Sequence, residues 1–427
     1  MPARRTLALL TIGVLARLSI YGVLEPRIDG GDPVGYLRTA HHLVEFGVFS
    51  DDVELPPQPG FYRPPLYPAF LAGAFVLWDS PWFVRCLQLV LSLVTAFVVA
   101  RIARKFDERA ANWVLAAMLL SPVEAAYATV ILSETLTTLL LASAAAVLLL
   151  RTEWWRWALG GALAGLLALC RDIYLPLLLL VAGAWAIAWK LDSFRKRARD
   201  GAVFLACAAL VIAPWALRNQ RLAGRFVAVS EGRLGLSLWM GTWATNGDFT
   251  RTDALGYREY PPEAFRSEDE KVKALEALGV GMDRRTADAQ LRQLAMQRYR
   301  DEPVRIIGRW LKRAPKLWLG TRFDLFTLRA AYGSPAWTLI KSLLWGFNAL
   351  LVALGVAGMA WCFRKRREAL WCALPLAFTA AVYLPLNSFE NRYSQPVFPF
   401  VVVFAGLAAV AIVDAINARR RKTASSQ

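Results

Sequence analysis

The stretch WFVRCLQLVLSLVTAFVVARIARKFDER, residues 82–109, decides the class of fold. Residues 82–103 are mostly apolar, and a basic cluster occupies residues 101–109. An apolar run of about 18 or more residues is long enough to cross a bilayer as a helix. A helix pairs all of its backbone polar groups internally, which lipid-facing backbone requires. Because such runs recur along the chain, we predict an all-α integral membrane protein.

Composition agrees with this class. The chain has 427 residues, 56% of them hydrophobic, and a formal net charge of +17. On a soluble protein this charge would indicate a nucleic-acid partner, but in a membrane protein Lys and Arg mark cytoplasmic loops. We therefore expect membrane lipids as partners and no nucleic acid. The five cysteines lie in or beside apolar segments, so no disulfide framework is expected.

Run length predicts ten spans, at residues 6–24, 82–103, 110–128, 132–150, 157–171, 173–190, 201–217, 336–361, 369–386 and 396–416. With this count every strongly basic cluster falls on one side, which the positive-inside rule makes cytoplasmic. These clusters lie at residues 4–5, 101–109, 151–156, 194–199, 363–367 and 418–422. Both termini then face the cytoplasm. The first run lacks a small-residue cleavage site, so we expect a retained span.

The spans define the predicted domains. Residues 1–217 form an N-terminal transmembrane module of about seven spans, with a first periplasmic loop at 25–81. Residues 218–335 form a larger, mostly helical periplasmic region. Residues 336–417 form a C-terminal module of three spans, and 418–427 a cytoplasmic tail. Within the outer regions, residues 66–78 predict a half-inserted or interfacial helix. Residues 286–320 predict helices broken near Pro303 and Pro315 that lie along anionic headgroups.

Unusual polar residues collect on the predicted outer side. They are Asp29, Asp32, Arg63, Tyr67, Glu124, Glu134, Arg171, Arg218, Glu390, Arg392 and Tyr393. Ionisable groups at membrane edges are costly unless they have a partner or a function. Arginine binds phosphate in a bidentate manner, and a carboxylate serves as a general base. The set predicts a site for a substrate that carries a lipid tail, a phosphate and a sugar.

Five motifs in order resemble the GT-C membrane glycosyltransferases. They are Asp32-x-x-x-Tyr36, Arg63-Pro-Pro-Leu-Tyr-Pro, Ser133-Glu134-Thr-Leu, Pro214-Trp-x-x-Arg218-Asn219 and Glu390-Asn-Arg392-Tyr393 with Pro396 and Pro399. The resemblance is nearest to a bacterial branch related to protein O-mannosyltransferases and lipid A aminoarabinose transferases. It implies a GT-C-like bundle of about ten transmembrane helices in the bacterial inner membrane, with a long first periplasmic loop carrying interfacial helices and a larger periplasmic region before the last three helices.

The resemblance also implies the reaction and its residues. The donor is a polyprenyl-phosphate sugar, and the acceptor is an envelope lipid, glycan or protein. Transfer inverts the anomeric centre, with Asp32 as the base. Family members often have an acidic residue directly after that Asp, where this chain has Pro33, so Asp29 remains a competitor. Arg392 is the first choice for the leaving phosphate, with Arg63, Arg171 and Arg218 behind it and Tyr393 as a hydrogen-bond donor.

Structural readings of these residues stay open. Glu134 is equally explained as a first-turn helix charge after Ser133. Glu390 and Arg392 are explained by a mutual ion pair, and Arg171 by a salt bridge with Asp172. Arg17, within the first span, would reach the outer rim or pair with a buried carboxylate.

The sequence also indicates which cofactors to expect. His41 and His42 are adjacent and lack metal-ligand spacing, so no metal or other cofactor is required by the sequence, with a divalent metal left open.

A secondary transporter or lipid flippase is the alternative function. Transporters place polar residues near the midplane of two related halves, whereas these lie at one rim. A non-catalytic subunit of an envelope glycan complex is a third possibility.

Overall fold

The computed structural model describes residues 3–26, 31–188, 193–232, 234–243, 251–252, 258–259, 264–279, 282–320, 326–328, 335–364, 367–386 and 391–425. These residues are mostly helical, and the chain divides into two compact units. One comprises Met1–Glu231, Phe323–Leu376 and Gln395–Gln427, and the other Gly232–Arg322 and Ala377–Ser394. The predicted all-α class is confirmed.

The helices up to residue 223 are α1 (Ala3–Val23), α2 (Gly31–Phe46), α3 (Leu66–Leu77), α4 (Pro81–Phe106), α5 (Glu108–Leu120), α6 (Pro122–Thr129), α7 (Glu134–Leu150), α8 (Arg156–Cys170), α9 (Leu175–Ala188) and α10 (Phe194–Ala223). Those that follow are α11 (Leu234–Trp243), α12 (Glu268–Leu278), α13 (Arg284–Asp301), α14 (Pro303–Leu319), α15 (Pro335–Phe363), α16 (Leu370–Tyr383), α17 (Asn391–Ser394) and α18 (Phe398–Ser425).

In the described ranges, two short antiparallel strand pairs accompany the helices. Strand β1 (Leu24–Pro26) pairs with β4 (Phe326–Leu328), with Glu25 opposite Thr327. Strand β2 (Arg251–Thr252) pairs with β3 (Arg258–Glu259), with Arg251 opposite Glu259. The first pair belongs to the first unit and the second pair to the second unit.

Each predicted span coincides with one or more helices. By length and composition, four helices in the described part of the chain are sufficient to cross a membrane: Pro81–Phe106, Phe194–Ala223, Thr338–Phe363 and Arg392–Arg421. A fifth is added if α6 and α7, bent by 120°, form one span. The remaining apolar helices are shorter, so the count of ten stays a prediction.

Local sequence explains where these helices begin and end. Ser80 and Pro81 start α4, and the Ser80 side chain accepts a hydrogen bond from the Trp82 amide. Asp107 caps α5 by accepting from two backbone amides. Ser121 and Pro122 separate α5 from α6, since proline has no amide hydrogen to continue the helix. The break falls inside the predicted span 110–128.

Helix packing forms the core of the first unit. Its main contacts join α8 to α10, α15 to α18, and α4 to both α5 and α7. At the crossing of α15 and α18, a Cβ on Gly358 would overlap the Phe404 carbonyl oxygen. Small residues allow such close backbone approach between membrane helices.

The second unit has its own core, in which α11 and α12 pack on α13. Trp239, Trp243 and Leu291 are buried there. The predicted break near Pro303 is present, because α13 ends at Asp301 and α14 starts at Pro303. The predicted break near Pro315 is wrong: α14 continues through it to Leu319. Pro315 is exposed, so its ring lies on the exposed side of α14 and not against the buried residues of the unit.

Candidate active site

Asp32 lies in the first turn of α2 and is fixed by an arginine. Its Oδ1 is 3.5 Å from Nη1 of Arg63, and its side chain is 37% exposed. The carboxylate is therefore held by a cation on one side and still open to an incoming group. A general base requires both orientation and access.

Arg63 binds a second carboxylate as well. Its Nε lies 3.3 Å from Oδ2 of Asp51. The guanidinium also lies over the Tyr36 ring, 5.1 Å from its centroid. Helix α2 admits this side chain because residue 35 is glycine, and a Cβ there would overlap the guanidinium. Sequence reasoning missed Asp51, since an Asp pair in a loop is ordinary and only the fold brings it to Arg63.

Tyr36 connects this ion pair to the start of α7. Its hydroxyl shares a hydrogen bond with Ser133, and the charges of Asp32, Glu134 and Arg171 all act on it. Burial raises the pKa of the Tyr36 hydroxyl well above its ordinary value, and the Asp32 carboxylate adds to the rise. Tyr36 therefore stays protonated as a hydrogen-bond donor or acceptor between the two charged pairs.

Glu134 and Arg171 form the second charged pair. Nη1 of Arg171 is 3.6 Å from Oε1 of Glu134, and their side chains are 12% and 2% exposed. The Ser133 side chain makes no capping hydrogen bond to α7. Asp172, the other partner considered for Arg171, accepts a hydrogen bond from Ser230. Glu134 is thus both the first residue of α7 and a partner in a buried ion pair.

Tyr67 and Arg218 hold neighbouring backbone in place. The fully buried Tyr67 donates to Oε1 of Gln88 at 2.7 Å, and Gln88 donates to the carbonyls of Ala128 and Val130 at 3.1 and 2.7 Å. Arg218 donates to the Gly60 carbonyl at 2.9 Å and lies 4.4 Å from the Trp215 ring centroid. Tyr67 also packs edge-on against Tyr36, with ring centroids 4.9 Å apart.

Glu124 takes part in a buried network that sequence reasoning did not foresee. Nε2 of Gln395 donates to Oε2 of Glu124 at 3.1 Å. Thr138 donates to the amide oxygen of Gln395 at 3.2 Å. A carboxylate in an apolar run is a visible signal in sequence, but its partner, 271 residues away, is not. Arg17, the other buried charge here, donates to the Met118 carbonyl at 2.8 Å and to that of Leu119.

Arg392 and Tyr393 belong to the second unit. The Arg392 guanidinium lies 4.9 Å from the Tyr393 ring centroid, and Tyr393 stacks on Tyr383 at 4.9 Å. Glu390 and Asp29, two further predicted site residues, lie outside the described residues.

Helices α13 and α14 hold both ends of the segment that carries Arg392. Before it, Tyr299 donates to the Pro385 carbonyl at 2.8 Å and Arg313 to the Leu386 carbonyl at 3.4 Å. After it, Ser394 donates to the Leu317 carbonyl at 2.5 Å. Helices α13 and α14 therefore fix the C-terminal motif, a role that their sequence did not indicate.

Metal-binding residues do not cluster in the described part of the chain, where no three His, Cys, Asp or Glu side chains are grouped to hold an ion. His41 stacks on Phe75 with ring centroids 4.8 Å apart. Nδ1 of His42 lies 3.1 Å from the Ser50 carbonyl oxygen. Both histidines therefore have structural contacts.

Comparison with known proteins identifies the fold. Residues 62–216 match the Alg9-like mannosyltransferase family. The crystal structure of the Archaeoglobus fulgidus oligosaccharyltransferase, tethered to an acceptor peptide with an NVT sequon, superposes with a TM-score of 0.55 at 15% identity. The alignment covers 98% of this chain and 51% of the oligosaccharyltransferase. The chain has the GT-C glycosyltransferase fold. No curated protein matches the sequence significantly.

These matches confirm the GT-C resemblance. Several apolar helices make this GT-C protein a multi-pass membrane protein. It spans about half the length of the oligosaccharyltransferase. The matched family segment contains Arg63, Glu134 and Arg171, so part of the charged cluster lies inside it, while Asp32 and Arg392 lie outside it.

Proposed function

We propose that the protein is an inverting glycosyltransferase of the periplasmic side of the bacterial inner membrane. It moves a sugar from a polyprenyl-phosphate carrier to a hydroxyl or phosphate of an envelope lipid, glycan or protein. The observation that carries this proposal is the carboxylate of Asp32, oriented by Arg63 and 37% exposed. A carboxylate so placed suits a base that must meet an acceptor from outside.

For a hydroxyl acceptor the reaction is a single displacement. Asp32 takes the hydroxyl proton while the acceptor oxygen forms a bond to the anomeric carbon. The bond between that carbon and the phosphate oxygen breaks, and the polyprenyl phosphate leaves with the electron pair. A phosphate acceptor is already ionised and reacts without proton removal. The leaving phosphate develops charge that fixed cations stabilise.

Arg392 is our first choice for that phosphate, as the GT-C resemblance implies, with Tyr393 as a hydrogen-bond donor beside it. The Arg392 guanidinium lies 4.9 Å from the Tyr393 ring centroid, so the two side chains are neighbours. Arg63, Arg171 and Arg218 are the other candidates.

The proposal is tested by comparing envelope lipids and glycans, by mass spectrometry, between cells that carry the gene and cells that lack it. Deletion should remove one sugar from one acceptor. Asp32→Asn, which keeps the shape and removes the base, should give the same loss, while Asp29→Asn should retain transfer. Retention by Asp32→Asn together with loss in Asp29→Asn would move the base to Asp29. An unchanged sugar profile on deletion would contradict the proposed function.

Sidedness is tested separately. An accessible tag beside Asn391 should react with a reagent that cannot cross the inner membrane when the reagent is added from the periplasmic side. The same tag in the C-terminal tail should react only after permeabilisation. Protection of Asn391 from the periplasmic side would contradict the proposed topology.

A further inference from the structure

Helix α14 is amphipathic and presents an apolar face outward. Its inner side chains Ile306, Arg313 and Leu317 are buried. On the opposite side, Val304 and Leu311 are 83% and 70% exposed. With Ile307, exposed by 48%, and the exposed Pro315, they follow spacings of three and four residues, so they lie on one face of the helix.

Basic residues line one edge of this face. Arg305, Lys312 and Lys316 recur at helical spacing, and the Arg305 side chain is 65% exposed. The helix itself carries no acidic residue, and the nearest carboxylate along the chain is that of Glu302 just before it, which lies 2.8 Å from Nη1 of Arg305. Trp318 follows at the C-terminal end, and tryptophan is enriched where membrane meets water.

We propose that this face of α14 binds the surface of a bilayer that contains anionic phospholipid. The apolar side chains enter the region between headgroups and acyl chains, and the basic edge contacts the phosphates. The basic edge of α14 favours an anionic bilayer over an apolar protein surface as the partner, because a protein partner would have to neutralise or bury the cations. The helix is no span, since 17 residues rise only about 26 Å and five of them are basic.

The buried face of α14 connects the proposed lipid contact to the rest of the second unit. Arg313 donates to the carbonyls of Gly241 and Leu386. The helix that binds lipid is therefore the helix that fixes the segment leading to Arg392. Its binding to lipid is independent of whether that segment takes part in sugar transfer.

The test uses the full chain in nanodiscs of phosphatidylglycerol or of phosphatidylcholine. A small fluorophore replaces the side chain of Leu311 in one sample and that of exposed Glu276, on α12, in the other. Doxyl-labelled lipid and aqueous iodide serve as quenchers. In phosphatidylglycerol the label at Leu311 should be quenched by doxyl lipid and shielded from iodide, and the label at Glu276 should show the reverse.

Charge variants test the basic edge. In the double variant Arg305→Gln and Lys312→Gln, the equilibrium between lipid-bound and free α14 should shift toward the free form by about fivefold per charge removed. The matched variant Lys271→Gln and Lys273→Gln, on α12, should leave the quenching at Leu311 unchanged.

Three results would overturn the proposal. The first is iodide quenching at Leu311 equal to that at Glu276. The second is doxyl quenching at Leu311 that is equal in phosphatidylglycerol and in phosphatidylcholine and that the charge variant leaves unchanged. The third is shielding from both quenchers that depends on protein concentration, which would show that a second copy of the chain covers the face.

Discussion

The Arg63 guanidinium joins the carboxylates of Asp32 and Asp51, at 3.5 Å from its Nη1 and 3.3 Å from its Nε. Two acids compete for one cation, so neither is fully neutralised by it. Arg63 thus orients the proposed base without satisfying all of its hydrogen-bonding capacity. Asp51 anchors the end of the guanidinium nearer the main chain and sets the direction in which the other end reaches Asp32.

Asp51→Asn should lower sugar transfer by about tenfold, an effect expected when a catalytic group loses its orientation. Arg63 would keep Asp32 as a partner and lose its second charged anchor. The measurement is the rate of transfer in membranes at equal protein amount. Asp52→Asn is the matched control, because Asp52 accepts from the Gln58 amide rather than from Arg63. Equal activity of both variants would show that Asp51 has no positioning role.

Gly35→Ala should strongly reduce the rate of sugar transfer and only weakly reduce thermal stability. A Cβ at residue 35 would overlap the Arg63 guanidinium, which would have to move away from Asp32. Gly73→Ala, in α3, is the control, because nothing lies within 4 Å of a Cβ there. Thermal unfolding in detergent and transfer rate, measured on both variants, separate the two effects. A normal rate for Gly35→Ala would mean that the position of Arg63 is unimportant.

Arg171→Met should destabilise the protein by about 3 kcal/mol, because it leaves Glu134 buried without its cation. Combining it with Glu134→Gln should recover part of that loss. A double-mutant cycle from unfolding in detergent measures the coupling between the two side chains. Strict additivity of the two single variants would contradict the ion pair.

Tyr299→Phe should weaken the attachment of the segment before Arg392 to α13, because it removes the hydrogen bond to the Pro385 carbonyl. The lost hydrogen bond contributes about 1 kcal/mol to stability. We expect transfer to fall while helical content, followed by circular dichroism, stays constant. Arg285→Gln changes an exposed residue of the same helix and should leave transfer unchanged. If Tyr299→Phe also transfers normally, the segment does not depend on α13.

Gly358→Ala should destabilise the fold by about 2 kcal/mol, since the added Cβ would push α15 away from the Phe404 carbonyl of α18. Gly346→Ala lies in the same helix with nothing within 4 Å and should be neutral or slightly stabilising. Thermal unfolding of the two variants compares them directly. Similar unfolding temperatures would argue against close packing at Gly358.

The sequence by itself determined the class of fold. An apolar run such as 82–103 is a property of consecutive residues, so hydropathy detects it without any knowledge of the partners. The motifs around Asp32 and Arg63 carried the GT-C resemblance for the same reason, since each is read over a few neighbouring positions. The order of the helices along the chain follows from these local signals.

Only the tertiary structure decided which side chains meet. Gln395 reaches Glu124 across 271 residues, Arg171 pairs with Glu134 while Asp172 binds Ser230, and Asp51 shares Arg63 with Asp32. The same holds for Pro315, which α14 accommodates on its exposed face. These outcomes depend on how helices pack, and packing brings together residues whose separation along the chain leaves no local signal.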